Sequence, residues 1–320
     1  MHSLKQYLRR AWIPAYWIGN RPRVDRNWCY HPELRARRGT RTLLCVRRIQ
    51  DATMRQTIDT WIRAIPDFAI PTTSSFNEIT VDLALPSVAI ADLADDDVYI
   101  MDTNEINYVT DLSRILKMFT LRTVETAYKL LCGPSDPLAP LLKFHDLYSS
   151  FPIEGAKFDL LGLPGSNSKE LSMVLLIVPY WEVDYGNLQD FTQEGMQAPG
   201  SLDLIPGTRP PYYSTVLWAM LWEVCKHTNC RFFAVTTYDC WTFGNFSDTL
   251  RTAQVTEQMK APVFPKEVSV TLQDVQQCLQ PNVLEFLLFW LAAARDPTRS
   301  LVPLPSDPVI QARVEAFFQN

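Results

Sequence analysis

Hydrophobic and polar positions change period several times along the chain, and each change marks an element. The run TLLCVRR (42–48) predicts a short strand, and ATMRQTIDTWIRAIP (52–66) keeps helical spacing until Pro66 stops it. In EITVDLALP (78–86), Ile79, Val81, Leu83 and Leu85 alternate with polar or small residues, the period of a half-buried strand. From 108 to 134 the spacing turns helical, with Leu112, Ile115, Leu116 and Phe119 on one face and Gly133-Pro134 as the stop. That change divides the chain into an α+β region over 1–105 and a larger unit over 106–320.

The second unit has its own order. LAPLLKFHDLYSSF (138–151) predicts a helix, and AKFDLLGL (156–163) and LSMVLLIVPYW (171–181), joined by PGSNSKE, predict a hairpin. A Pro- and Gly-rich excursion over 186–211 leads into a helix at YYSTVLWAMLWEVCKHTN (212–229). CRFFAVTTYDCWTFGNFS (230–247) is an apolar strand, a polar corner and a second strand carrying Trp241 and Phe243. PNVLEFLLFWLAAARD (281–296) is apolar nearly all round and predicts a buried helix, and DPVIQARVEAFF (307–318) an amphipathic one. The whole reads as α/β, in which the 212–229 helix has to cross from one sheet strand to another. No repeat is visible, which excludes solenoids and propellers.

At 320 residues and 47% hydrophobic content the chain can bury a sizeable core. The formal charge of -5 is unevenly spread: residues 1–50 hold a local +10, leaving -15 for the remainder. Only that first segment favours an anionic partner, and its arginines Arg9, Arg10, Arg21, Arg23, Arg26, Arg35, Arg37 and Arg38 are interleaved with Trp12, Trp17 and Trp28. Arginine neutralises phosphate and exposed aromatics stack on bases, so this is the candidate nucleic-acid-binding stretch. The same charge could instead cover the acidic remainder of the molecule.

Seven cysteines without a Cys-x-x-Cys pair indicate neither a disulfide framework nor a zinc ribbon and fit a reducing compartment. Cys225, His227, Cys230 and Cys240 cluster, at spacings that match no standard zinc site. The longest apolar run, 283–294, is broken by Glu285 and falls short of the ~20 residues of a membrane span. The expected setting is therefore soluble and intracellular, cytoplasmic or nuclear, with a mitochondrial address as the alternative that the Arg-rich start leaves open. GLPGSNSKE (162–170) lacks the Gly and Lys of a phosphate-binding loop, and four histidines without a nucleophile elbow select no catalytic pair. Asn245-Phe246-Ser247 has the form of a glycosylation sequon, which has meaning only on a secreted surface.

A hairpin, a crossing helix, the strand Phe233-Ala234-Val235-Thr236-Thr237-Tyr238-Asp239 and the strand Trp241-Thr242-Phe243-Gly244 together resemble the PD-(D/E)XK, or restriction-endonuclease-like, superfamily. The form is that of fungal proteins of unknown role. The resemblance covers 108–295 as architecture and 156–247 at the level of motifs. It implies a mixed sheet flanked by helices. It also implies a site in which an Asp opening the hairpin and a Glu-x-Lys in its second strand hold Mg²⁺ and stabilise developing charge. Asp159 stands where the Asp would be, but Glu-x-Lys falls on Leu176-Ile177-Val178, and the Gln often found on the crossing helix is missing from YYSTVLWAM. The expectation is a non-catalytic pseudo-nuclease that needs no cofactor and binds a protein of unknown identity. The rival is a divergent Mg²⁺-dependent nuclease using Asp159, Glu182 and Asp184, the last two spaced to share one side of an extended strand. A nucleic-acid-binding module served by the basic start is compatible with the first reading.

Overall fold

The computed structural model describes residues 2–13, 17–18, 41–70, 88–89, 105–132, 142–147, 159–164, 171–183, 185–196, 202, 213–261, 281–295 and 301–308. Nine strands form one mixed sheet: β1 (Cys45–Arg48), β2 (His145–Asp146), β3 (Asp159–Pro164), β4 (Leu171–Ile177), β5 (Gly195–Met196), β6 (Phe232–Thr236), β7 (Cys240–Phe246), β8 (Thr252–Val255) and β9 (Met259–Lys260). Their spatial order is β5-β1-β8-β7-β6-β4-β3-β2, with β9 also pairing β7. The described helices are α1 (Leu4–Arg10), α2 (Asp51–Ala64), α3 (Val109–Leu116), α4 (Arg122–Cys132), α5 (Tyr185–Phe191), α6 (Tyr213–His227) and α7 (Val283–Arg295), with a π turn at Lys117–Leu121 joining α3 to α4.

The expected α/β architecture, a mixed sheet between helices, is what the chain forms. β3 and β4 are an antiparallel hairpin, α6 crosses, and β6 returns parallel to β4 with Leu176 beside Val235. A parallel pair needs such a crossing helix, and it buries the strands on both faces. Accordingly Met173, Leu175 and Ile177 face one core with α1, α2, α3, α4 and α7, while Val174, Leu176 and Val178 face the other with α5 and α6. β1 and α2, from the first hundred residues, belong to this same sheet and core.

Local chemistry fixes the ends. α6 stops at Asn229, whose φ of 50° turns the chain so that Cys230 N–H reaches the Cys225 carbonyl at 2.9 Å. α7 opens with a reciprocal cap: Glu285 N–H donates to Asn282 Oδ1 at 3.1 Å, and Asn282 N–H to Glu285 Oε2 at 3.0 Å. Gly244 is required where it stands, because a Cβ there would collide with the Phe233 ring and approach the Gln254 carbonyl at 2.7 Å.

Several expectations need correction. Residues 142–147 are extended and not helical: Leu142 and Phe144 are buried between exposed Lys143 and His145, and β2 pairs with β3 at Gly162 and Leu161. The excursion over 186–211 contains α5, and β8 and β9 extend the sheet beyond the expected strands. The predicted strand over 78–86 lies outside the described residues, as does nearly all of the predicted helix over 307–318, whose first two residues are non-helical.

The β6–β7 connection carries strain. Tyr238 and Asp239 form a two-residue loop closed by Thr237 N–H to the Cys240 carbonyl at 3.0 Å, and Tyr238 holds φ at 80°. Glycine takes this region without cost and an L side chain does not. Burial of the ring and two hydrogen bonds hold it there: Tyr238 N–H to Thr236 Oγ1 at 2.9 Å and Trp241 Nε1–H to the Tyr238 carbonyl at 2.8 Å. Tyr238→Gly and Tyr238→Ala both lose the ring, so the glycine variant is expected to be the more stable by about 1 kcal/mol, the reverse of the usual order in a strand. Urea midpoints for the pair check this, and an alanine variant of equal or greater stability would refute it.

Candidate functional site

Strand register gathers several chemically distinctive residues at one end of the sheet. Asp159, at the start of β3, pairs with Ile177 at the end of β4, which pairs with Thr236 at the end of β6, which pairs with Trp241 at the start of β7. Val178 N–H extends the parallel pairing to the Thr236 carbonyl at 2.8 Å. Beyond it the chain turns at Pro179, whose carbonyl accepts the Glu182 and Val183 N–H groups at 2.9 and 3.2 Å. The carboxyl ends of parallel strands are where open α/β sheets commonly bind ligands.

The rim of this end is aromatic and charged. Tyr180 and Trp181 meet edge to face at 5.3 Å, and Glu182 beside them is 7% exposed. Lys260 on β9, opposite Cys240 of β7, places its Nζ 5.7 Å from the Tyr185 ring centroid, and Tyr185 is 52% exposed. Burial pushes the Cys240 thiol up, with Asp239 adding to the shift, so it stays protonated and unreactive at neutral pH.

Of the three carboxylates proposed for a metal, Glu182 is described in full and sits in the turn after β4. Acids at strand ends are ordinarily solvated, and its burial is a departure that the sequence did not signal. Asp159 is described through its backbone pairing, while its side chain and all of Asp184 lie outside the described residues. The positions that the resemblance assigns to Glu-x-Lys are dry: Leu176 and Ile177 are 0% and Val178 1% exposed. Among the described residues no group of three His, Cys, Asp or Glu side chains is arranged to hold a metal ion. Cys225 and Cys230 lie in the core, whereas His227 faces solvent.

Two described arginines of the first fifty residues, Arg9 and Arg41, are engaged by acids of the same chain. Arg9 reaches Asp59 of α2 at 2.9 Å and Glu285 of α7 at 3.2 Å. Arg41 Nε meets Glu223 of α6 at 3.0 Å and its Nη1 donates to the Leu202 carbonyl at 2.8 Å, with the two side chains 0% and 7% exposed. The Arg10 side chain and Arg21, Arg23, Arg26, Arg35, Arg37 and Arg38 lie outside the described residues. Because removing one member of a buried ion pair leaves the other charge uncompensated, Arg41→Met is expected to cost about 3–5 kcal/mol. Arg41→Met combined with Glu223→Leu should recover most of it, which a double-mutant cycle of denaturation midpoints measures.

A further titratable group, unnoticed in the helical pattern of 108–134, stands on α4. Glu125 is buried and accepts the Phe144 N–H at 2.6 Å, tying α4 to the extended segment before β2. Burial raises its carboxyl from 4.5 to about 7, against the opposing pull of that hydrogen bond and of Lys129, Lys143 and Arg122. The folded chain therefore holds a proton between pH 4.5 and about 7 that the unfolded chain has released, so this group's contribution to stability is full below that window and lost as pH rises through it. Glu125→Gln keeps the acceptor and removes the ionisation. Relative to wild type it should gain about 3 kcal/mol on passing from the bottom to the top of the window. Urea unfolding at acidic and mildly alkaline pH reads this, and a difference independent of pH would rule it out.

Between the end of α5 and the start of α6 a cleft of about 320 Å³ is lined by Asp190, Gln193, Glu194, Ser214, Thr215 and Trp218. Among the described residues no helix is long and apolar enough to cross a membrane. No protein-family model, curated protein or solved structure matches the chain.

Proposed function

We propose that the chain acts by binding rather than by turnover, as a pseudo-nuclease on a restriction-endonuclease-like core. The observation that carries this reading is the burial of Leu176 and Val178, which belong to the same core as the buried residues of α6. A carboxylate or an ammonium at these positions would be stripped of water with no partner, at a cost no fold sustains cheaply. Support for the resemblance comes from the order of elements: helix, antiparallel hairpin, crossing helix, then a strand parallel to the hairpin's second strand.

The end of the sheet supplies what a binding protein needs. Trp181 and Tyr185 offer aromatic area on a rim framed by strand ends, the residue types enriched in protein interfaces, and Lys260 places a charge beside them. The partner class is a protein. Nucleic acid through the basic start is a compatible addition in which Arg9 has little part, since its charge is already engaged by Asp59 and Glu285.

The rival is a divalent-metal nuclease using Asp159, Glu182 and Asp184, for which the burial of Glu182 at this same end of the sheet speaks. Calorimetric titration of the full chain with Mn²⁺, beside a cleavage assay on DNA and RNA, separates the two. Wild type and Asp159→Ala are expected to take up Mn²⁺ alike and to leave both substrates intact. Saturable binding and cleavage that both vanish in Asp159→Ala would overturn the proposal in favour of the nuclease.

A further inference from the structure

Along β7, Trp241 and Phe243 face the core beneath α7, and Asn245 occupies the next position on that face. It is 0% exposed, and among the described residues neither its Oδ1 nor its Nδ2 has a hydrogen-bond partner. Phe232 lies opposite it on β6 and Gln254 opposite it on β8. Above, Trp290 of α7 stands with its ring centroid 5.8 Å from those of both Phe232 and Phe243, and its Nε1, equally buried, has no partner among the described residues either.

The patch is closed from the side. Gln254 Nε2 donates to the Pro303 carbonyl at 2.6 Å, Thr249 Oγ1 to Asp307 Oδ2 at 2.6 Å, and Val302, 5% exposed, joins the same core. Residues 301–308 thus run across the sheet face next to Asn245.

An amide cannot satisfy itself, and a buried donor or acceptor left unmade costs about 1–3 kcal/mol. More than roughly nine in ten such groups in folded proteins find a partner, and where the protein offers none an internal water does so. We propose that Asn245 and Trp290 line a closed internal site that binds ordered water. Asn245 Nδ2–H and Trp290 Nε1–H donate to water oxygen, and water donates to Asn245 Oδ1. The site ties β7 to α7 through a hydrogen-bonded network. At 0% exposed, Asn245 presents no surface for a glycan, despite its place in a sequon-like triplet.

A high-resolution crystal structure of the full chain tests this directly. The expected result is ordered density at about 2.7–3.2 Å from the Asn245 amide and from Trp290 Nε1. A dry patch, or direct pairing of these atoms with protein groups, overturns it. Asn245→Leu, close in volume, gives a second readout. In a hydrated site it strands the water and the Trp290 N–H and lowers Tm, whereas in a dry site it removes two orphaned groups and raises Tm. If that variant does not fold, Trp290→Phe, which deletes only one donor, is expected to lose the density at that end of the site, and unchanged density there counts against the proposal.

Discussion

Residues 173–177 and 232–236 run side by side in the same direction, so the chain must travel back along the sheet between them, and the returning helix has to bury one face of both strands. That requirement explains the composition of α6. Every residue from 216 to 225 is buried, because one side of the helix covers β4 and β6 while the other is itself covered. The outer cover is α5, whose Phe191 stacks on Trp218 at 4.3 Å and accepts the indole N–H at its carbonyl. On the opposite face α7 plays the same part, which is why a helix with Trp290, Phe286 and Phe289 carries so few charges. Its one acid, Glu285, is tolerated because one carboxylate oxygen caps the helix and the other meets Arg9.

The same constraint decides where chemistry can sit. A strand covered on both faces cannot present an ionised side chain without drying it, so the middle of β4 is closed to catalysis for the reason that makes it a good core strand. Polar function is left to strand ends and to the turns beyond them. There Glu182, Tyr185 and Lys260 gather, and there the strained Tyr238 is held in place. Strain of that kind persists only where surrounding contacts over-determine it, and the Thr236 and Trp241 hydrogen bonds together with full burial of the ring do so here.

How much of this the sequence disclosed follows from the range of the interactions involved. The helices at 51–64, 213–227 and 283–295 and the hairpin at 159–177 were legible because their period is local and strong. α5 was not: Tyr185–Phe191 contains Gly186 and Asn187, buries only Leu188 and Phe191, and owes its helix to Trp218, 27 residues away. The segment at 142–147 misled through its leucines, while the alternation of buried and exposed residues over 142–145 is set by the bond from the Phe144 N–H to the Glu125 carboxylate and by pairing with β3. At the candidate site, the aliphatic character of Leu176-Ile177-Val178, the positions that the resemblance assigns to Glu-x-Lys, could be read directly. The burial of Glu182 could not, since YWEVD has the composition of a solvated strand end and only packing draws it inward.

Charge distribution shows the same division between local pattern and tertiary outcome. A +10 start ahead of a -15 remainder reads as an invitation to an anionic partner, yet the folded chain supplies some of the anions itself. Arg9 joins α1 to α2 and α7, Arg41 joins the entry to β1 with α6, and Arg48 meets Glu257 across the sheet edge. These pairs are not equivalent. The exposed Arg48–Glu257 pair contributes little, because water screens it. The enclosed Arg41–Glu223 pair costs desolvation to form, and what it secures is geometry: it ties the entry to β1 to one place on α6. Part of the basic character of the start is thus a device for assembling this fold, and any phosphate that the remaining arginines bind is met by a positive surface smaller than the sequence count implies.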